Sequence, residues 1–326
     1  MSLRSLFGIL LACLALTAQA AEIREWPVPW ENTRPRDPSV APDGRIWFVG
    51  QAGNYLAVFD PDSEQFERYE LPPKTRPHSV LVDHRGQIWV AGNGNGTLLR
   101  FDDAGLLQQT IEVPVPEGAR VADPHTMAMD GHGGLWFTLQ MANAIAHLDP
   151  ASGEIRMTPM ATPQSRPYGI IATAEGDAWA VLFGAAKLVR VGLQDGQIRE
   201  VELPDPASRP RRLGIDHDGV IWYGDFSQSK LGRYDPHSNE VIEWPLPSTP
   251  SLPYAMAIDA NGDPWLFETA PQPNLLQRFD PRRARFGMGI EVPGGGGVVR
   301  HAVYDPVTDS IWFGTDRNTL GRAQLD

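Results

Sequence analysis

The sequence predicts an all-β protein: a single seven-bladed β-propeller of four-stranded antiparallel blades, its ring closed by the N-terminal strand. Three observations predict it. Tryptophan recurs at Trp47, Trp89, Trp136, Trp179, Trp222, Trp265 and Trp312, at spacings of 42, 47, 43, 43, 43 and 47 residues. That is the period of propeller repeats, about 40–50 residues for four short strands. Each Trp follows an Asp/Gly turn flanked by alternating apolar residues, the pattern of a hairpin. No stretch sustains a helical period, which excludes solenoids built from helix pairs. On length alone, 326 residues with 42% apolar content would allow two domains. One repeat running through the whole chain argues instead for one closed unit.

The elements follow in order. Residues 1–20 read as a secretory signal peptide, with Arg4 as the positive region, Leu6 to Leu16 as the apolar region and Ala18-Gln19-Ala20 as the cleavage site. The apolar run is too short for a membrane span of about 20 residues, and no later segment is long enough. Leu10-Leu11-Ala12-Cys13 loosely resembles a lipidation site, the alternative to cleavage after Ala20. Cleavage would remove the only Cys and leave residues 21–326 as the propeller, periplasmic or secreted, stabilised without disulfides. Glu22 to Pro27 looks like an outer strand with no unit of its own, whereas the chain stops after a third strand, Leu320 to Ala323. Pairing the two closes the ring and removes its free edges. The fifth unit shows the blade plan: Leu213 to Asp216 as inner strand, His217-Asp218-Gly219 as turn, then Val220 to Gly224, Lys230 to Asp235 and Val241 to Pro245.

The repeat also fixes which residues can meet. The connection into each inner strand and the loop after each second strand share one face, and the Asp-Gly turns lie on the other. The first face should carry the residues after the recurrent Pro: Ser39, His78, His125, Tyr168, Arg211 and Tyr254, with His301 at the corresponding place after Arg300. It should also carry residues three and four after each Trp, among them Gln51, Asn93, Gln140, Asp225, Glu268 and Asp316. Ligand sites favour such concave mouths, and His titrates near neutrality. Each His has an equally ordinary use, bonding loop carbonyls. Arg36, Arg76, Arg166, Arg209, Arg211, Arg212 and Arg300 gather on the same face, to hold a carboxylate or phosphate ligand or to neutralise the funnel acids. His84, His132, His217 and His237 fall in turns on the opposite face, and His147 takes a third-strand slot filled by Arg in other blades, which suggests structural pairing. The Trp set reads as core.

Cys-rich or helical metal motifs are absent. A metal would need carboxylates and water, which suits Mg²⁺, and Asp225, Glu268 and Asp316 come from three consecutive blades. The two long Trp intervals place extra residues on this face, including Gly294 to Gly297, a run permissive enough to serve as a lid. The formal charge of −12 argues against nucleic acid as partner, since phosphate binding needs a basic footprint. A monomer with a small-molecule or peptide ligand in its central funnel is expected.

The recurring Pro-x-x-x-x-x-Asp-x-x-Gly-x-Ile/Leu-Trp-Phe pattern, with Leu-Pro strands between units, resembles the streptogramin lyase (virginiamycin B lyase) family of seven-bladed propellers over essentially the whole mature chain. The resemblance implies a lyase that opens an ester linkage in a cyclic depsipeptide by elimination, with Mg²⁺ and a His base. Carried over by position, it implies His301 as catalytic base and Asp316 as the acid four residues after the seventh Trp. The face geometry of the repeat makes His78, His125, Tyr168, Arg211, Tyr254 and Arg300 the expected ligand-binding residues and Glu268, Asp316 and Asp225 the expected metal ligands. Two further positions depart: Tyr254 stands where the family has a His, and Val299 where it has a Glu. Two functions follow: a Mg²⁺-assisted lyase opening an ester or lactone in a small cyclic substrate, or a non-catalytic propeller holding a ligand or a protein segment.

Overall fold

A turn aspartate organises the hairpin of the fifth and sixth blades. In the fifth, Asp216 accepts hydrogen bonds through Oδ1 from the amides of Asp218 and Val220, both at 3.0 Å, and through Oδ2 from Trp222 Nε1 at 2.8 Å. One carboxylate thus closes the hairpin and anchors the Trp six residues on. Asp259 does the same for Asn261, Asp263 and Trp265. Gly219, at φ +77°, completes the turn because a left-handed residue is needed there.

The computed structural model describes residues 21–325, so the signal-peptide and lipidation expectations lie outside the described residues. It shows seven antiparallel sheets arranged as blades, six of four strands and a sixth blade whose outer strand is split into Arg285–Phe286 and Ile290–Glu291. Among the described residues no helix is long and apolar enough to cross a membrane. The ring closes as the sequence predicts: Glu22–Pro27 pairs with Thr319–Gln324 as the outermost strand of the seventh blade. Trp26 stacks on Trp312, ring centroids 5.6 Å apart.

The core lies between blades. The seven repeated Trp are all buried, and each joins a hydrophobic cluster shared with a neighbouring blade. Charged third-strand residues cover several of them, as Arg100 does over Trp89 and Arg322 over Trp312. In the third blade His147 takes that slot, 4.6 Å from Trp136, and bonds Asp130 Oδ2 at 2.7 Å, the structural pairing its position implied. The inner strands begin earlier than the apolar pattern suggested. In the fifth blade the strand is Pro210–Ile215, because the segment ahead of Leu213 still pairs with its neighbour.

Candidate functional site

Every inner strand slips register immediately after its first one or two residues. Such bulges re-aim side chains, and here they line the propeller axis with two successive residues from each blade. In six blades the strand begins with the Pro that stands twelve residues before the repeated Trp; in the seventh it begins with Val299, thirteen before Trp312. The first ring comprises Arg36, His78, His125, Tyr168, Arg211, Tyr254 and Arg300. The second, one residue further along each strand, comprises Asp37, Ser79, Thr126, Gly169, Arg212, Ala255 and His301.

This register corrects two sequence expectations. Ser39 does not occupy the mouth; it pairs with Trp47 further down its strand, and Arg36 takes the place. Two prolines, Pro35 and Pro38, compete in that blade, and Pro35 is the one aligned with the others. His301 is not the counterpart of His78 and His125. It sits one residue deeper, and Arg300 fills the first-ring position.

The second ring is a buried ionic brace. Asp37, fully enclosed and at φ +48°, accepts a hydrogen bond from Arg36 Nε at 3.0 Å and one from Arg212 Nη2 at 3.4 Å. Asp tolerates the left-handed backbone that turns it to the axis. Arg212 also donates to Thr126 Oγ1 at 3.1 Å and to the Arg300 carbonyl at 3.0 Å, so one guanidinium ties together blades one, three, five and seven. Burial would raise the Asp37 pKa, but Arg36, Arg212 and His301 outweigh it and hold the carboxyl below the ordinary range.

The first ring is cationic and aromatic. His78 and His125 lie against each other, centroids 3.4 Å apart, and Tyr168 follows at 4.3 Å from His125. Burial, reinforced by Arg36 and Arg212, pushes both His well below their ordinary pKa, so they are neutral at pH 7. His301 is lowered to about 4, by burial first and by Arg212 and Arg36, against the opposing pull of Asp37. Tyr168 and Tyr254 share a hydrogen bond between their hydroxyls. The Arg211 guanidinium is caged by aromatic rings, 4.0 Å from Phe226, 4.3 Å from Phe183 and 4.5 Å from Tyr254. No carboxylate pairs with it among the described residues.

Four polar atoms in these rings are buried without a hydrogen-bond partner: Arg36 Nη2, His78 Nδ1, Arg211 Nε and His301 Nδ1. Buried polar groups are nearly always satisfied, so a group of unmet donors and acceptors around one axis marks a place built for a ligand.

The expected metal ligands are dispersed into other roles. Asp225 ends its strand, opposite Pro210, where its Oδ1 accepts the amides of Arg209, Ser227 and Gln228. Glu268, opposite Pro253, accepts the Ser248 amide at 3.1 Å. Asp316 is gripped by the Arg300 guanidinium through both oxygens, with Arg34 at 3.8 Å. Among the described residues, no group of three or more His, Cys, Asp or Glu side chains is placed to hold a metal ion. The glycine run is tied down: Gly296 O accepts the Asp316 amide, Gly295 O the Asn274 amide, and Gly297 O the Gln272 side chain. It fixes the Asp316 loop.

Of the residues read from sequence, His78, His125, Tyr168, Arg211, Tyr254, Arg300 and His301 meet around the axis. Sequence reasoning did not find Asp37, Thr126, Phe183 and Phe226. Counting back twelve residues from Trp47 gives Pro35, and the next two residues are Arg36 and Asp37; the fourth residue after Trp179 and Trp222 gives the two phenylalanines.

A profile of the virginiamycin B lyase family matches residues 108–272, half of the chain. The chain belongs to the virginiamycin B lyase family. Among solved structures, selenomethionine-substituted virginiamycin B lyase from Staphylococcus aureus superposes with a TM-score of 0.84 at 21% identity, covering 94% of this chain and 100% of that one. A catalytically inactive variant of that enzyme with quinupristin gives 0.85 at 21% identity, over 94% and 100%. Hydrazine synthase from Kuenenia stuttgartiensis gives 0.75 at 14%, over 92% and 98%. These likenesses show the fold. A comparison with curated protein sequences returned no match.

The Mg²⁺ implied by the virginiamycin B lyase resemblance does not fit the donors present. The one carboxylate near the mouth at the family's acid position, Asp316, is already neutralised by Arg300, and a cation beside four guanidiniums would be repelled.

Proposed function

We propose that this member of the virginiamycin B lyase family uses its axial funnel to bind a small anionic ligand, with a carboxylate as the group its donors match. The observation that carries the reading is Arg211: a guanidinium caged by aromatic rings, without a carboxylate partner, its Nε buried and unbonded. A planar guanidinium stacked this way is preoriented, so little side-chain entropy is lost when it bonds an oxyanion. Arg36 Nη2 offers a second unmet donor on the same axis. Phe183 and Phe226, both half-buried, supply apolar surface for the body of such a ligand. The signal-like residues 1–20 support an exported location.

The test is thermal stabilisation by small carboxylates in the presence of chelator. Citrate raising the Tm of the wild type, and raising that of Arg211→Gln far less, supports the reading; equal shifts in both would end it.

A second reading is a lyase opening an ester or lactone, with His301 as base. It is favoured by the unpartnered His301 Nδ1 and by the neutral state of the ring at pH 7, which leaves a lone pair free to accept a proton. Because a relative was solved with quinupristin, that depsipeptide is the first substrate to try. Turnover by the wild type, lost in His301→Ala, supports catalysis; intact quinupristin after prolonged incubation with magnesium supplied contradicts this reading for that substrate.

A further inference from the structure

We infer that anion capture in the funnel is coupled to proton uptake by the Tyr254–Tyr168 phenol pair, with Tyr254 as the proton acceptor of the site. The inference rests on the anion-binding reading above and goes beyond it by giving the ligand a partner: the site takes up an anion and a proton together.

The Tyr254 hydroxyl is hydrogen-bonded to that of Tyr168 across the axis, and both side chains are buried. Arg211 of the fifth blade lies 4.5 Å from the Tyr254 ring and Arg300 of the seventh 5.5 Å. The charges of Arg36 in the first blade and Arg212 in the fifth favour its ionised form. Tyr168 is faced by Arg212 at 5.5 Å, Arg211 at 5.7 Å, His125 at 4.3 Å and His78 at 6.4 Å, the two His being neutral. The carboxylates bonded to these arginines are already committed, Asp37 to Arg36 and Arg212, and Asp316 to Arg300.

Three of the four guanidiniums therefore share two carboxylates, Arg211 has neither, and the positive charge left over is concentrated where water is scarce. Such a field stabilises any anion placed within it. The chain can supply one itself: if Tyr254 loses its proton, the Tyr168 hydroxyl donates to the phenolate. Burial opposes this, but Arg211, Arg36 and Arg212 outweigh burial and lower the Tyr254 pKa, while burial raises Tyr168 to about 12. The pair thus gives up one proton early and the second late. An external anion neutralises the same excess charge. Once it is bound, the phenolate loses its stabilisation and Tyr254 recovers a proton from solvent. No covalent bond changes: phenolate, proton and free anion become phenol and bound anion. By linkage, affinity falls about tenfold per pH unit above the Tyr254 pKa and is flat below it.

Sulfate is the probe, because it does not titrate in this range. Calorimetry and tyrosinate absorbance are followed on the whole protein in weak buffer, between neutrality and the ordinary tyrosine pKa of about 10. The expected result is proton uptake and loss of tyrosinate absorbance when sulfate binds the wild type. Tyr254→Phe should bind sulfate with a pH-independent constant and no proton uptake. Tyr168→Phe, which removes the donor to the phenolate, should keep the slope but move its onset to higher pH. Near-ultraviolet circular dichroism establishes that each variant is folded. Sulfate binding to the wild type with no proton uptake overturns the coupling and leaves the funnel reading intact. No sulfate binding that depends on Arg211 overturns both.

Discussion

Arg212 of the fifth blade reaches Asp37 of the first, Nη2 to Oδ2 at 3.4 Å, with both side chains almost wholly enclosed. The contact spans the propeller axis, so the floor of the funnel is held by a charge pair instead of apolar packing. That choice shapes both the stability of the ring and the field above it.

Removing one partner of a buried pair leaves the other charge uncompensated. Asp37→Asn strands two guanidiniums and should cost about 3–5 kcal/mol, read as a lower denaturant midpoint at unchanged slope. Pairing Asp37→Asn with Arg212→Met should recover part of the loss, because the two sites are coupled.

Arg211→Lys keeps the charge but loses the planar stack on Phe183 and Phe226. Stability should change by no more than about 1–2 kcal/mol, the value of a desolvated cation–π contact. Anion affinity should fall several-fold, since an ammonium cannot reproduce the oriented donors of a guanidinium. Titration calorimetry with citrate checks the second outcome and thermal unfolding the first.

Acid should weaken the fold in a defined window. Burial and the neighbouring arginines lower His301 to about 4 and His78 and His125 well below their ordinary value. The unfolded chain therefore binds these protons near pH 6.5 while the folded chain resists. Stability is full above about 6.5 and declines as pH falls toward about 4, where His301 itself protonates in the fold. In Tm measured against pH, His301→Gln should flatten that decline; an unchanged profile would remove His301 from the account.

An aromatic contact reinforces the strand pairing that closes the ring. Trp26, 7% exposed, stacks on Trp312 and packs on Phe59. Trp26→Ala should cost about 3–5 kcal/mol, and hydrogen exchange should accelerate first in Glu22–Pro27 and Thr319–Gln324.

Much of this was legible in the sequence because a repeat constrains everything attached to it. Trp47 through Trp312 fixed the blade count, and the Pro-x positions located His78, His125, Tyr168, Arg211 and Tyr254 at one mouth. Two kinds of information were not legible. Register at a bulge depends on backbone geometry, so the sequence pattern points to Ser39 where Arg36 stands and sets His301 level with His78, although His301 lies one residue deeper. Pairing across the axis depends on which side chains arrive together. Nothing local announces that Asp316 will be held by Arg300, that Asp225 will serve loop amides, or that Arg211 will settle between Phe183 and Phe226. Among the described residues the three acids expected on neighbouring blades, Asp225, Glu268 and Asp316, share a face without sharing a point.

The most direct test of the anionic funnel is titration calorimetry of citrate into the wild type, Arg211→Gln and Arg36→Gln, each with excess chelator. The account predicts one site per chain in the wild type, weakened at least tenfold in either variant, about 1.4 kcal/mol or more for each lost donor. Binding that requires a divalent cation, or that is indifferent to both arginines, would contradict it.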